Sequence, residues 1–257
     1  MRQVLAERGQ DIVRGFRQRG HHHVSRIESF SDAVFGFSLT LLVVSLQVPR
    51  SFDELLGTVR GFPAFALSFM LLAQIWYLQY RFFRRYGLQD MTTIVLNMAL
   101  LFTIMFFTYP LKFLFGILAT VSGGTAPIAP EQLWQLFAIY NGGYAAVFAI
   151  FALLYRHALV KRDELELTPL ELLDTRSALQ FSVIAILVAG VSMVLAGGFS
   201  AGHAYALAGI SGGLTYPIGF TLVGRIFGRK VKRRRAGLIA SLGDDATRPE
   251  FTSDALR

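Results

Sequence analysis

Of 257 residues, 53% are hydrophobic and only 16% charged, and Phe alone accounts for 23. Soluble domains run about 45–50% apolar and about 25% charged, so these figures exclude an ordinary soluble enzyme, and a chain this apolar is not disordered either. The net charge of +8 leaves nucleic acid in play until the charges are located, while zero Cys excludes disulfides, thiolate catalysis and Cys-ligated metal sites.

In chain order, residues 1–24 are polar, with five arginines and no apolar core of the kind a secretory signal needs. Six stretches then reach the roughly 20 mainly apolar residues that a spanning helix requires. They are Ser31–Val48, Gly61–Tyr80, Thr93–Gly116, Leu133–Tyr155, Leu179–Ser200 and Tyr205–Val223. Of the 25 Lys and Arg residues, all but Arg50, Arg60 and Lys112 fall before the first stretch, after the even-numbered ones, or in the tail. The positive-inside rule therefore predicts an all-α integral membrane protein with six transmembrane helices and both termini cytoplasmic. The expected division is a basic N-terminal segment 1–28, a membrane domain 29–228 and a basic tail 229–257. The run Lys230–Arg235 fits a juxtamembrane stop better than a nucleic-acid site, so the high pI is read as topology and no nucleic-acid partner is expected.

Ionisable groups at membrane depth are costly and mark functional candidates. Here they are few: Asp32, Asp90 and Lys112. Asp32 admits two readings. Ser29 or Ser31 caps the first helix with Asp32 in its first turn, or Asp32 pairs with Arg26 or a neighbouring helix. Asp90 is expected at the interface, and Lys112 to reach the outer headgroups. In the first helix, Phe37, Thr40, Leu41, Val44 and Val48 share one face. That face is either ordinary packing, with Thr40 bonding back to its own helix, or the wall of a narrow apolar conduit. His21–His23 lacks accompanying carboxylates, and Thr221–Gly224 lacks the second glycine of a TVGYG filter. With no phosphate-cradling loop and no hydrolase or metalloprotease motif, no enzyme, metal site or cofactor is expected.

The run Arg26-x-x-x-Phe30-Ser31-Asp32, opening the first of six spans, resembles the signature of the transmembrane protein 175 family of potassium channels, in its single-repeat bacterial form. The likeness continues through Trp76-x-x-Gln79 and Leu96-Asn97 to Tyr109-Pro110. It implies a homotetramer in the cell inner membrane, with the first helix lining a central pore that has no TVGYG filter. It implies that Arg26, Phe30, Ser31 and Asp32 belong to a buried hydrogen-bonded network supported by Trp76, Gln79 and Asn97. By position, Phe37 falls at the family's apolar constriction, Thr40 at its pore-facing threonine, and Leu41 and Val44 on the same or adjacent turns. Phe37 stands where the family usually has Ile or Leu, and Gln79 where it often has His. The function expected is a potassium-permeable cation channel. The rivals are a proton- or ion-coupled secondary transporter, which needs broken helices and midplane charges, and a non-conducting membrane scaffold acting through its basic tails.

Overall fold

A computed structural model describes residues 25–44, 62–121, 132–202 and 231–237, with a few isolated positions between them. The described residues form helices without strands: α1 (Arg26–Val44), α2 (Phe62–Tyr86), α3 (Met91–Val121), α4 (Leu133–Val160) and α5 (Pro169–Ala201). Residues 231–237 are also helical. The sixth predicted stretch apart from Thr215, the His21–His23 run and Thr221–Gly224 lie outside the described residues.

Two helices begin earlier than their apolar runs. For α1 the reason is a capping box at Ser25: the Glu28 backbone N–H donates to Ser25 Oγ at 3.3 Å, and the Ser25 N–H donates to Glu28 Oε2 at 2.9 Å. This overturns the expected cap at Ser29 or Ser31; Asp32 lies past the first turn. Thr168 and Glu171 repeat the device ahead of α5, and Pro169 occupies the first helical position, where its missing N–H is harmless. The polar turns 169–178, which carry no apolar run, are thereby helical.

At 1.5 Å per residue, α1 is about 28 Å long and α5 about 50 Å, against a hydrocarbon layer of about 30 Å. Among the described residues, α3, α4 and α5 are each long and apolar enough to cross a membrane. The most extensive packing is α4 on α5, while α3 touches α1, α2 and α4. Polar contacts fix the antiparallel arrangement. Tyr86, ending α2, meets Thr175 near the start of α5 at 2.8 Å. The single Thr175 proton goes to the Glu171 carbonyl, so the Tyr86 hydroxyl is the donor. Asp90, just before α3, meets His157 near the end of α4 at 2.8 Å.

These contacts gather one end of α2, α3, α4 and α5 into a single charged layer that holds Arg81, Arg84, Arg85, Arg156, Lys161 and Arg162. An aromatic cluster lies just inside it: the Phe82 ring meets Tyr155 edge-on at 5.5 Å and Tyr86 at 4.9 Å. In α3, Pro110 cannot donate to the preceding turn, and its own carbonyl accepts a hydrogen bond from the Tyr140 hydroxyl of α4.

Candidate functional site: a polar seam and an open face on α1

Helix α1 has two unlike sides. Ser31, Phe35, Ser38 and Leu42, spaced at i, i+4, i+7 and i+11, are all buried, which points this stripe at α2 and α3. The opposite stripe carries Phe37, 54% exposed, and Thr40, also exposed. Leu41 lies between them, half-buried. Val44 ends the helix, and its side chain lies outside the described residues.

On the buried side three helices are joined by a chain of neutral hydrogen bonds. Gln79 Nε2 on α2 donates to Asn97 Oδ1 on α3 at 3.0 Å. Asn97 Nδ2 donates to Ser31 Oγ on α1 at 2.9 Å. Ser31 Oγ donates to the Ile27 carbonyl one turn back at 2.7 Å. All three side chains are almost fully buried, where each unmade bond carries a desolvation cost. At the seam's edge, the Trp76 indole N–H donates to Asp32 Oδ1 at 2.7 Å.

The structure therefore brings together Ser31, Asp32, Trp76, Gln79 and Asn97. It resolves the two readings of Asp32 in favour of a neighbouring helix, α2. Arg26 and Phe30 stand apart: both are exposed, and no ion pair joins Arg26 to Asp32. Thr40 Oγ bonds to its own helix, to the Phe37 carbonyl at 2.7 Å and the Gly36 carbonyl at 3.0 Å. Its one proton is thus committed to backbone, and the oxygen keeps lone pairs for an outside partner.

The sequence reading missed the partners of Asp90. Thr93 Oγ1 and His157 both bond its carboxylate. The Asp-x-x-Thr spacing at a helix start is a visible signal for the first contact; nothing local announces the second, 67 positions away. The Gly-Gly pairs at 142–143 and 197–198 lie within α4 and α5. Lys112 is in α3, with its side chain outside the described residues.

A helical bundle with a polar seam at one end and three helices long and apolar enough to cross a membrane among the described residues defines an integral membrane protein. The family model described as endosomal/lysosomal potassium channel TMEM175 matches residues 26–107. The chain is 37% identical over 182 residues to a protein of Marivirga tractuosa named potassium channel, spanning 66% of this chain and 74% of that one. The crystal structure of a variant of the potassium channel MtTMEM175, bound to a nanobody fusion, superposes with a TM-score of 0.71 at 34% identity, covering 84% of this chain and 97% of that one. A homologue from Chamaesiphon minutus, described as a lysosomal potassium-selective channel, shares the fold at a TM-score of 0.51 and 24% identity over 80% of this chain and 96% of its own. The chain belongs to the TMEM175 family of potassium channels. Its class is therefore ion transport in a membrane and not enzymatic catalysis.

Proposed function

We propose that this chain is a potassium-permeable channel that assembles as a homotetramer around α1, in the cell inner membrane, with both termini in the cytoplasm. The observation that carries this reading is the two-sided character of α1. One stripe is bonded into its own subunit; the other offers Phe37 and Thr40 to whatever lies outside the single chain. Four such stripes about a symmetry axis enclose a narrow, mostly apolar path.

In that assembly Phe37 forms the constriction, where ions must shed water and flow is limited by dewetting. The Thr40 oxygens, their protons held by backbone, present lone pairs toward a passing cation. Leu41 and Val44 line the adjoining turns. The seam of Ser31, Asp32, Trp76, Gln79 and Asn97 holds α1 in register with α2 and α3, and Arg26 and Phe30 belong to its cytoplasmic approach. The flanking segments 1–28 and 229–257 are basic cytoplasmic extensions of a membrane domain spanning 29–228 with six helices.

Planar-bilayer recording of the purified full chain tests this. Wild-type protein should carry potassium current, and Phe37→Ala should raise conductance or weaken discrimination against sodium. Absence of current from wild type, together with no effect of Phe37→Ala, would defeat the pore assignment. Flux that saturates at low substrate or depends on a proton gradient would instead indicate a carrier. Partner capture through residues 229–257 without flux would indicate a scaffold.

A further inference from the structure

A second site lies away from α1, at the charged end of the bundle. There α2, α4 and α5 surround a cavity of about 450 Å³. At the mouth stand Arg81 and Arg85 from the last turns of α2, Asp174 from the first turns of α5, and Arg235 from the helix at 231–237. Farther along the helices the lining is mainly Leu78, Phe148, Phe151 and Phe181, with Gln74 and Ser182 among them.

Three guanidiniums and one carboxylate line this end of the cavity, and an Arg235 nitrogen lies 3.9 Å from Asp174 Oδ2. Arg81 Cζ lies over the Tyr77 ring at 5.7 Å from the centroid, a cation–π distance that anchors the guanidinium at the cavity. Arginines that served only to set topology would extend into solvent. Here Arg81, Arg85 and Arg235 are all half-buried around one space.

We infer that this cavity binds an anionic phospholipid, with the phosphate held by Arg81, Arg85 and Arg235 and the start of the acyl chains against the phenylalanines. Paired arginine N–H groups match phosphate oxygens, and basic pockets between membrane helices suit anionic headgroups. A free phosphate satisfies the mouth but leaves the aromatic wall without a partner. A zwitterionic lipid satisfies the wall but brings no net charge to the mouth. The volume falls in the ordinary range of small-ligand pockets, about 300–1,000 Å³. Occupancy would also tie the 231–237 helix to the bundle, because Arg235 belongs to both.

Native mass spectrometry of the detergent-purified full chain reads this without any current, so it succeeds or fails separately from the pore. Phosphatidylglycerol should be retained at least about fivefold over phosphatidylcholine, and Arg81→Gln or Arg235→Gln should each weaken retention by about fivefold, the worth of one cation beside an anionic headgroup. Ser177→Asp, which places a negative charge in the cavity wall while leaving every arginine in place, should do the same and serves if an arginine variant fails to fold. Equal retention of the two lipids, or variants that retain phosphatidylglycerol like wild type, overturns the proposal. So does displacement of the lipid by an equal concentration of soluble glycerol phosphate, since the ligand would then be the free phosphate.

Discussion

Trp76 on α2 reaches across to α1 and donates its indole N–H to Asp32 Oδ1 at 2.7 Å, two residues that lie 44 positions apart in the chain. Trp76 is 36% exposed, so the bond sits at the rim of the seam and is partly screened by its surroundings. Trp76→Phe keeps most of the ring and deletes the donor. A hydrogen bond to a charged group is worth about 1.5–3 kcal/mol, and discounting for exposure leaves about 1 kcal/mol. Thermal unfolding in detergent should show a loss of that size, and none when Trp76→Phe is made on an Asp32→Ala background.

Asn97 stands at the centre of the seam, accepting from Gln79 and donating to Ser31. Asn97→Ala strands the buried Gln79 amide, at about 1–3 kcal/mol, and also removes the bond it donates to Ser31 Oγ, which keeps its own bond to the Ile27 carbonyl. The expected loss is therefore larger than for Trp76→Phe. A double-mutant cycle with Gln79→Ala should return a coupling of about 0.5–3 kcal/mol; additive losses would mean the two side chains do not share a bond.

Gly143 on α4 has no room for a side chain, because a Cβ there would overlap the buried Phe107 ring of α3. Its neighbour Gly142 has nothing within 4 Å of the same position. Gly143→Ala should lower stability by about 1–3 kcal/mol, the usual range for overpacking. Gly142→Ala should leave the subunit's own packing intact, and equal unfolding midpoints for the two variants would contradict the close α3–α4 contact.

Asp90 gives a pH-dependent term outside the spanning segments. Burial pushes its carboxyl upward, but hydrogen bonds from Thr93 and His157, with the positive charges of His157 and Lys161, outweigh that and hold it below the ordinary value of 3.8. Because the folded pKa is depressed, the stabilisation is fully present above the unfolded value, about 3.9, and is lost as pH falls through the lower folded value. The stability gap between wild type and Asp90→Asn should hold steady from about pH 5 to pH 4 and narrow only below that. A gap that closes already at pH 5 would mean the carboxylate has no such support.

The apolar runs made the described helices legible, and the residues singled out by their motif include five that hydrogen-bond across helices: Ser31, Asp32, Trp76, Gln79 and Asn97. What spacing could not supply was pairing. Gln79 and Asn97 are 18 residues apart, and Asn97 and Ser31 are 66 apart. Three helices must be packed in the correct rotation before those side chains meet, and helical periodicity reports only which residues share a face. The start of α5 was hidden for a different reason. Its first turns are held by a capping box and not by an apolar stripe, so a search for apolar length passes over them. Arg26 shows the opposite limit: its place in a motif carries no contact with Asp32 inside a single subunit.

The polar bonds of α1 are unevenly placed along it. Ser31 and Asp32 bond to other helices, while the Thr40 hydroxyl, farther along, bonds to its own turn. Those two bonds define a hinge point near one end of α1, while Ser38 and Leu42 farther along are held by packing. Val44 lies twelve residues beyond Asp32, about 18 Å at 1.5 Å per residue. A tilt of about five degrees about that hinge carries the far end sideways by about 1.6 Å, as rise per residue and length dictate. In the proposed tetramer, a tilt of that size would alter the spacing of the Phe37, Thr40 and Val44 positions of neighbouring subunits while the Ser31 and Asp32 bonds stay nearly in place.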